Sequence, residues 1–401
     1  MLNIAVVINT AQFSGGAFHA SCSALKILSK RNNKYNIFYY TFDKSNTSFV
    51  NEKVSFIKFG IKDKFIFKLR KNLRINRILS KLKILKPFDS NFVKDGIDLV
   101  YFTSPNAICL YLENLNYILP IWDNCHRDHP EFPEVREGFE FEARESFLKK
   151  ALPKATAVIA ESEWGKDTLI RRYSLDKDRV YCIRMPASVN ILETDTKESF
   201  CPFEYANIPN NKPFVFYPAQ FWPHKNHRLI IDALTYLKYK YKISVYAIFC
   251  GSDCGNLDMI LNYASIKGIS HLVKYLGYVP DNQMPVYYEK SLALVMPSFF
   301  GPTNMPPMEA FAIGTPVIVS DLPGFSEQIG NAGLKIKPTD FEGLANILNR
   351  LHKNPIFRDE LIAKGKKWIE TFSDDKRLEV LDLIFEKFSY KKSLWKESTY
   401  V

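Results

Sequence analysis

Hydrophobic residues in this chain fall in short unbroken runs separated by longer helix-like stretches. The runs are "NIAVVIN" (3–9), "YNIFYYTF" (35–42), "DLVYFTS" (98–104), "YILPIWD" (117–123), "AVIAES" (157–162) and "VYCIRMP" (180–186). After an interval the pattern restarts with "PFVFYPAQ" (213–220), "SVYAIFCGS" (244–252), "VKYLGYV" (273–279), "LALVMPS" (292–298) and "PVIVSD" (316–321). Continuous rather than alternating hydrophobicity predicts strands buried on both faces, and helices between them predict parallel sheets. The interval 187–212, "ASVNILETDTKESFCPFEYANIPNNKP" with its closing proline, follows neither period and ends in Pro, Asn and Asn. The expected fold class is therefore α/β: two doubly wound Rossmann-like domains facing across a cleft. Residues 1–190 form the first domain, 191–212 a linker and 213–375 the second domain. Residues 376–401 form a terminal helix and tail expected to pack back toward the first domain. In such sheets ligands bind beyond the carboxyl ends of the strands, so the cleft is the expected site.

A length of 401 residues suits two domains, and 46% hydrophobic with 24% charged residues is ordinary for a soluble protein. The seven cysteines are scattered without paired spacing, which argues against a disulfide framework and for a reducing compartment. The N-terminal run is short and has no basic lead, so it reads as a first strand rather than a signal peptide. No apolar stretch approaches ~20 residues, and a cytoplasmic location is expected.

The net charge of +11 is largely local: the stretch 58–86 holds eleven Lys and Arg against one Asp. Ile75, Ile78, Leu79, Leu82 and Leu85 follow helical spacing among Arg74, Arg77, Lys81 and Lys83. Such a stripe suits either an anionic membrane surface or packing on its own domain, and the sequence leaves both open. Nucleic acid is not an expected partner.

Four segments carry candidate chemistry. The helix expected between "LALVMPS" and "PVIVSD" starts at Pro306 or Pro307 and is ended by Gly314. The loop 299–305 then feeds a helix N-terminus, where free N–H groups and the dipole suit a diphosphate. Glu309 is expected in the first turn, either gripping vicinal hydroxyls or simply complementing the dipole. In the second segment, Gln220 ends a strand, and His224 and Lys225 precede a helix from about Asn226. A lysine beside a helix start calls for an anion between them. Third, Gly15 and Gly16 follow the first strand and allow close backbone approach, without the GxGxxG fingerprint. Fourth, Asp123 and His126 lie at and beyond the end of "YILPIWD" and are expected to face the cleft. No metal is expected: Cys250 and Cys254 lack partner ligands, and Asp123, His126, Asp128 and His129 are irregularly spaced.

These segments together resemble the retaining glycosyltransferases of family 4, the group-1 type with the GT-B fold. "YPAQFWPHKNH" and "FFGPTNMPPMEAFAIGTPVIVSDLPGFSEQIGNAGL" carry the resemblance most specifically, supported by "PIWDNCHRDHPEFPEV" and "AESEWGKDTLIRRY". It implies transfer of a hexose-type sugar from a UDP- or GDP-sugar to a glycan or lipid-linked acceptor, with retention and without a catalytic metal or other cofactor. It further implies a role in surface polysaccharide synthesis (lipopolysaccharide, O-antigen or capsule). Asp123, His126, Lys225 and Glu309 are the expected catalytic residues. Gly15, Gly16, Gln220, Gly301, Thr303, Asn304 and Met305 join Lys225 and Glu309 in donor binding. Glu309 matches the second acid of the family's Glu-x7-Glu motif, and Lys225 the lysine that neutralises the diphosphate.

The sequence departs from the family pattern at three places. The first acid of the motif falls on Gly301, an expected arginine is Gln220, and the usual His before Asp123 is Trp122. Asp-x-Asp, which chelates a cation in glycosyltransferases of the other major architecture, occurs only as "DKD" at 176–178, where it reads as a turn. Alternatives carried from the same pattern are a nucleotide-sugar 2-epimerase and a catalytically inactive glycan-binding relative.

Overall fold

The computed structural model describes residues 1–10, 15–48, 54–71, 87–188 and 200–395. The basic stripe at Arg74, Arg77 and Lys81, the 191–199 part of the linker and the last residues, 396–401, lie outside these.

Two parallel sheets make the frame. The first contains β1 (Asn3–Ile8), β2 (Asn36–Thr41), β3 (Val54–Phe56), β4 (Leu99–Phe102), β5 (Asn116–Ile121), β6 (Ala157–Ala160) and β7 (Val180–Cys182), in the order β3-β2-β1-β4-β5-β6-β7. The second contains β8 (Phe214–Pro218), β9 (Tyr246–Cys250), β10 (Val273–Tyr275), β11 (Ala293–Met296), β12 (Val317–Ser320) and β13 (Leu334–Ile336), in the order β10-β9-β8-β11-β12-β13. Each order reverses direction once beside the first strand of its domain, so each sheet opens a crevice at its carboxyl edge there. This is the doubly wound α/β architecture expected from the apolar runs. β3 and β13, absent from that expectation, are three-residue edge strands with mixed polarity.

The central strands are apolar at nearly every position because helices cover both faces. β4, β6, β11 and β12 are buried at every position. The helix Phe341–Lys353 shows how a cover is built: Leu344, Ala345, Leu348 and Leu351 form its buried stripe. Its first turn is capped by Asp340, whose carboxylate accepts the Gly343 N–H at 2.8 Å.

The last helix, Asp374–Lys392, lies on the first domain. Leu378, Leu381, Ile384, Phe385 and Phe388 join the core formed by Ile4, Leu28 and Tyr35. Lys30–Asp374 (2.8 Å), Arg31–Asp382 (3.0 Å) and Lys34–Glu386 (2.7 Å) flank the contact. Before the second domain, Ala206 and Ile208 are already part of that domain's core.

A separate cluster joins the two domains. Cys125 and Val135 from the first and Phe300 from the second are buried together, with Phe132, Phe141, Trp164 and Phe299 around them.

Candidate functional site

Lys225 sits where β8 hands over to the helix His227–Tyr236. A short turn, Pro223–Lys225, leads to Asn226, which adopts a left-handed conformation (φ 58°) and starts the helix. The Asn226 amide donates to the carbonyls of Pro297 (2.9 Å) and Pro338 (2.8 Å), which locks this turn against the end of β11. Half-buried Lys225 donates from Nζ to Asn304 Oδ1 at 3.3 Å, and no carboxylate among the described residues lies within 4 Å of it. Burial pushes its pKa down to about 8, partly opposed by Asp123 and Glu134. A cation held this way, beside a helix start and without a counter-charge in contact, suits an anion.

Asn304 is the hub of the facing loop. Its N–H donates to Gln328 Oε1 (3.1 Å), its carbonyl accepts from Gln328 Nε2 (2.7 Å), and its Nδ2 donates to the Gly301 carbonyl (3.4 Å). It also stands at the N-cap position of the helix Met305–Ile313 without a side-chain capping bond, and that helix ends at Gly314 in a left-handed conformation. Gly301 has φ +100°, a region open to glycine and strained for any other residue. A carboxylate side chain at 301 would therefore come with backbone strain.

Glu309 is the fifth residue of that helix, so it lies in the second turn rather than the first. The cause is that Asn304 and Met305 start the helix earlier than the prolines suggest. It is 4% exposed, accepts from Tyr288 Oη at 2.6 Å, and also accepts the Ser188 backbone N–H. Burial raises its pKa to about 7, against these two hydrogen bonds.

The first domain supplies the opposite wall. Gly15 (φ +64°) starts the helix Gly16–Ser29, and a side chain at Gly16 would come within 3.9 Å of Met305 Sδ. The glycine turn thus meets the start of the 305–313 helix across the cleft. Asp123 is one-third exposed, accepts the Cys125 N–H at 3.1 Å and lies 3.8 Å from Arg144 Nη1.

His126, expected to face the cleft, is instead turned into the first domain and has no exposure. Its Nε2 bonds Glu145 at 2.9 Å, and its ring meets the edge of Phe141. Arg127 and Tyr173 also grip Glu145, so the carboxylate anchors an internal network that draws the imidazole away from the cleft. Gln220 is exposed, and its Oε1 accepts from the indole of Trp222 at 3.0 Å.

Two cleft residues, Glu161 and Glu327, had no signal in the sequence, whereas Thr303 was expected there. Thr303 donates to Glu161 Oε2 at 2.7 Å, bridging the domains. Glu327 of the second domain accepts the N–H groups of Glu163 (2.9 Å) and Trp164 (3.0 Å), capping the first domain's helix Glu163–Tyr173. Their partners are more than a hundred residues away, and no local pattern announces them. Among the described residues, no group of three or more His, Cys, Asp or Glu side chains is arranged to hold a metal ion.

Two parallel α/β sheets facing each other across a cleft make the GT-B fold. Residues 203–368 match the family described as "Glycosyl transferases group 1". The chain is 24% identical over 242 residues to the O-antigen chain mannosyltransferase B of Escherichia coli, covering 60% of this chain and 63% of that protein. It is 26% identical over 232 residues to the O-antigen chain mannosyltransferase RfbU of Salmonella typhimurium, covering 57% and 59%. The chain thus spans about three-fifths of the length of these curated relatives. Among solved structures, sucrose-phosphate synthase from Thermosynechococcus elongatus superposes with a TM-score of 0.73 at 16% identity, covering 97% of this chain and 100% of that one. Anabaena Alr3699/HepE in complex with UDP-glucose gives 0.69 at 16% identity, covering 98% and 100%. The sequence resemblance to the group 1 glycosyltransferases and the GT-B fold therefore stand.

Proposed function

We propose that this chain is a retaining glycosyltransferase that moves a hexose-type sugar from a UDP- or GDP-sugar to a glycan or lipid-linked acceptor, in the synthesis of a surface polysaccharide. The observation that carries this reading is Lys225, held at the mouth of the second sheet, whose ammonium among the described residues hydrogen-bonds only to the neutral amide of Asn304. As the glycosidic bond breaks, negative charge grows on the departing diphosphate. The Lys225 ammonium, with the Met305 N–H and the dipole at the start of the 305–313 helix, would offset it, since Pro306 and Pro307 have no N–H to offer. Glu309 lies behind the same loop, where a carboxylate can accept hydrogen bonds from a ribose. Asp123 faces them from the first domain, near the reacting sugar. With no metal in the scheme, departing phosphate oxygen takes the acceptor proton on the same face of the sugar, which retains configuration.

The relatives' names, O-antigen chain mannosyltransferases, favour a mannose-type donor and a polysaccharide acceptor. The Anabaena structure, a complex with UDP-glucose, keeps a UDP-sugar in view. The test is a thermal-shift screen against UDP-, GDP-, ADP- and dTDP-sugars, followed by product analysis with a lipid-linked glycan. A ligand at 100 times its dissociation constant adds about 2.7 kcal/mol of stability. Absence of a shift with every nucleotide-sugar would remove the reading. Sugar epimerisation in a donor-only incubation would favour the 2-epimerase.

A membrane-facing role for 58–86 rests on its described part. The helix Ile61–Arg70 exposes Ile61 (86%) and Phe65 (61%) beside Lys62, Lys64 and Lys68. Apolar side chains beside cations suit an anionic lipid surface. Ile61→Ser with Phe65→Ser should lower co-sedimentation with anionic vesicles, and unchanged sedimentation would remove this part. No helix among the described residues is long and apolar enough to cross a membrane.

A further inference from the structure

Glu161 follows β6 directly, and Asp123 lies two residues beyond β5. The pairing of Ile121 with Ala160 brings the two acids out side by side at the carboxyl edge of the first sheet. Thr303 Oγ1 donates to Glu161 Oε2 at 2.7 Å from the opposite domain. Among the described residues no other hydrogen bond to the Glu161 carboxyl is present, and no Lys, Arg or His nitrogen lies within 4 Å of it. A carboxyl group offers about four acceptor sites, so most of its capacity is unused. Burial raises its pKa to about 8, with the negative charge of Asp123 adding to the effect. It is therefore a proton-carrying acid near neutral pH, able to donate as well as accept.

The loop it faces is poor in side chains that could read a sugar. Gly301 has none and sits in the left-handed region, and Pro302 has no N–H. The amide of Asn304 is engaged at both ends, by Lys225 and by the Gly301 carbonyl. Thr303 remains, and its hydroxyl points at Glu161. A hexose presents adjacent hydroxyls, each both donor and acceptor, which a carboxyl–hydroxyl pair can satisfy together.

We propose that Glu161 is a specificity-determining residue: its carboxyl group, reaching the donor loop from the first domain and paired with Thr303, binds hydroxyls of the transferred hexose. This rests on the glycosyltransferase reading above. The recess bounded by Glu161, Arg184, Thr303 and Glu327 encloses only about 10 Å³ in this structure. A bound hexose therefore needs the two domains further apart than here, its hydroxyls taking the place of the direct Thr303–Glu161 bond.

The test compares the native full-length chain with Glu161→Gln, Glu161→Ala and Thr303→Val. Calorimetry measures UDP and GDP binding, and kinetics measures turnover of UDP-glucose against UDP-galactose and GDP-mannose against GDP-glucose. Glu161→Ala should leave bare nucleotide affinity within about 2-fold, lower kcat/KM for the preferred sugar by roughly 10- to 100-fold, and shrink the preference between epimers. Glu161→Gln should keep most activity at pH 7 and flatten the activity change near pH 8. A residue that only latches the domains would weaken nucleotide and nucleotide-sugar alike and leave the epimer ratio unchanged, which overturns the proposal. Nucleotide binding with an unaltered epimer ratio in Glu161→Ala removes this inference alone. Absence of any nucleotide binding by the native chain removes the transferase reading as well.

Discussion

Glu134 of the first domain accepts two hydrogen bonds from His224 of the second, one from its backbone N–H at 3.0 Å and one at its Nδ1, 2.5 Å away. The imidazole is stacked on Phe300 at 4.0 Å, within the aromatic cluster that joins the domains. Burial holds the His224 pKa down at about 4, and the Lys225 charge acts in the same direction against Glu134. The ring is therefore neutral at pH 7 and donates its Nδ1 proton. When the domains separate, the ring meets water and regains affinity for a proton. Closure is complete above the ordinary histidine range and weakens as pH falls from about 6.5 toward about 4. The full shift corresponds to roughly 3 kcal/mol. Small-angle scattering should show the radius of gyration rising over that interval, with a smaller rise in His224→Gln. A constant radius from pH 7 to 4 would rule the latch out.

Lys225 is predicted to dominate the grip on the diphosphate. A charge-assisted hydrogen bond contributes ~1.5–3 kcal/mol, so Lys225→Ala should weaken UDP or GDP binding roughly 10- to 150-fold. The charged form is the one that binds, and burial brings its pKa to about 8. Affinity should therefore fall as pH rises through about 8, while Lys225→Arg, charged at every accessible pH, should show a flat profile. Calorimetry between pH 7 and 9 measures both.

The fold was readable because parallel strands covered on both faces must be apolar at nearly every position. β1, β4, β6, β11 and β12 announce themselves for that reason, whereas β3 and β13, short and at sheet edges, do not. Lys225 and Gly314 were readable because each is defined by its place relative to a helix end. Residues that work across the cleft were not. Glu134 meets His224 over 90 positions, Glu161 meets Thr303 over 142, and Glu327 meets Glu163 over 164. No local period encodes such pairings. His126 was misplaced for the same reason: its neighbours in sequence point to the cleft, but Glu145, nineteen residues on, draws it inward.

Glu309 couples the site to stability. Its folded pKa of about 7 stands above the ordinary 4.5, so the folded chain holds a proton that the unfolded chain has released. Its contribution is favourable below about pH 4.5 and is lost as pH rises through about 7, by up to roughly 3 kcal/mol. Glu309→Gln removes that loss and leaves an oxygen to accept from Tyr288. The variant should melt above the native chain at pH 8, match it near pH 5, and bind nucleotide more weakly. Equal melting temperatures at pH 8 would show that the carboxylate is not confined as described.

The donor loop is also predicted to depend on a glycine that touches no ligand. Gly324 lies in the first turn of the helix Pro323–Ile329, directly under Pro302. A β-carbon there would fall 2.5 Å from Pro302 Cβ and 2.6 Å from its Cα and carbonyl oxygen, distances that only backbone movement could relieve. Alanine is the better helix former by up to about 1 kcal/mol, but overpacking against backbone costs about 1–3 kcal/mol. Gly324→Ala should therefore displace loop 301–304 and strain the reciprocal Asn304–Gln328 bonds that set the position of Asn304 beside Lys225. A modest fall in melting temperature with a weakening of UDP or GDP binding of about 10-fold is the expected result. Lower stability with unaltered nucleotide affinity would mean that the loop beneath Pro302 does not hold the diphosphate, and the donor site would have to be sought elsewhere in the cleft.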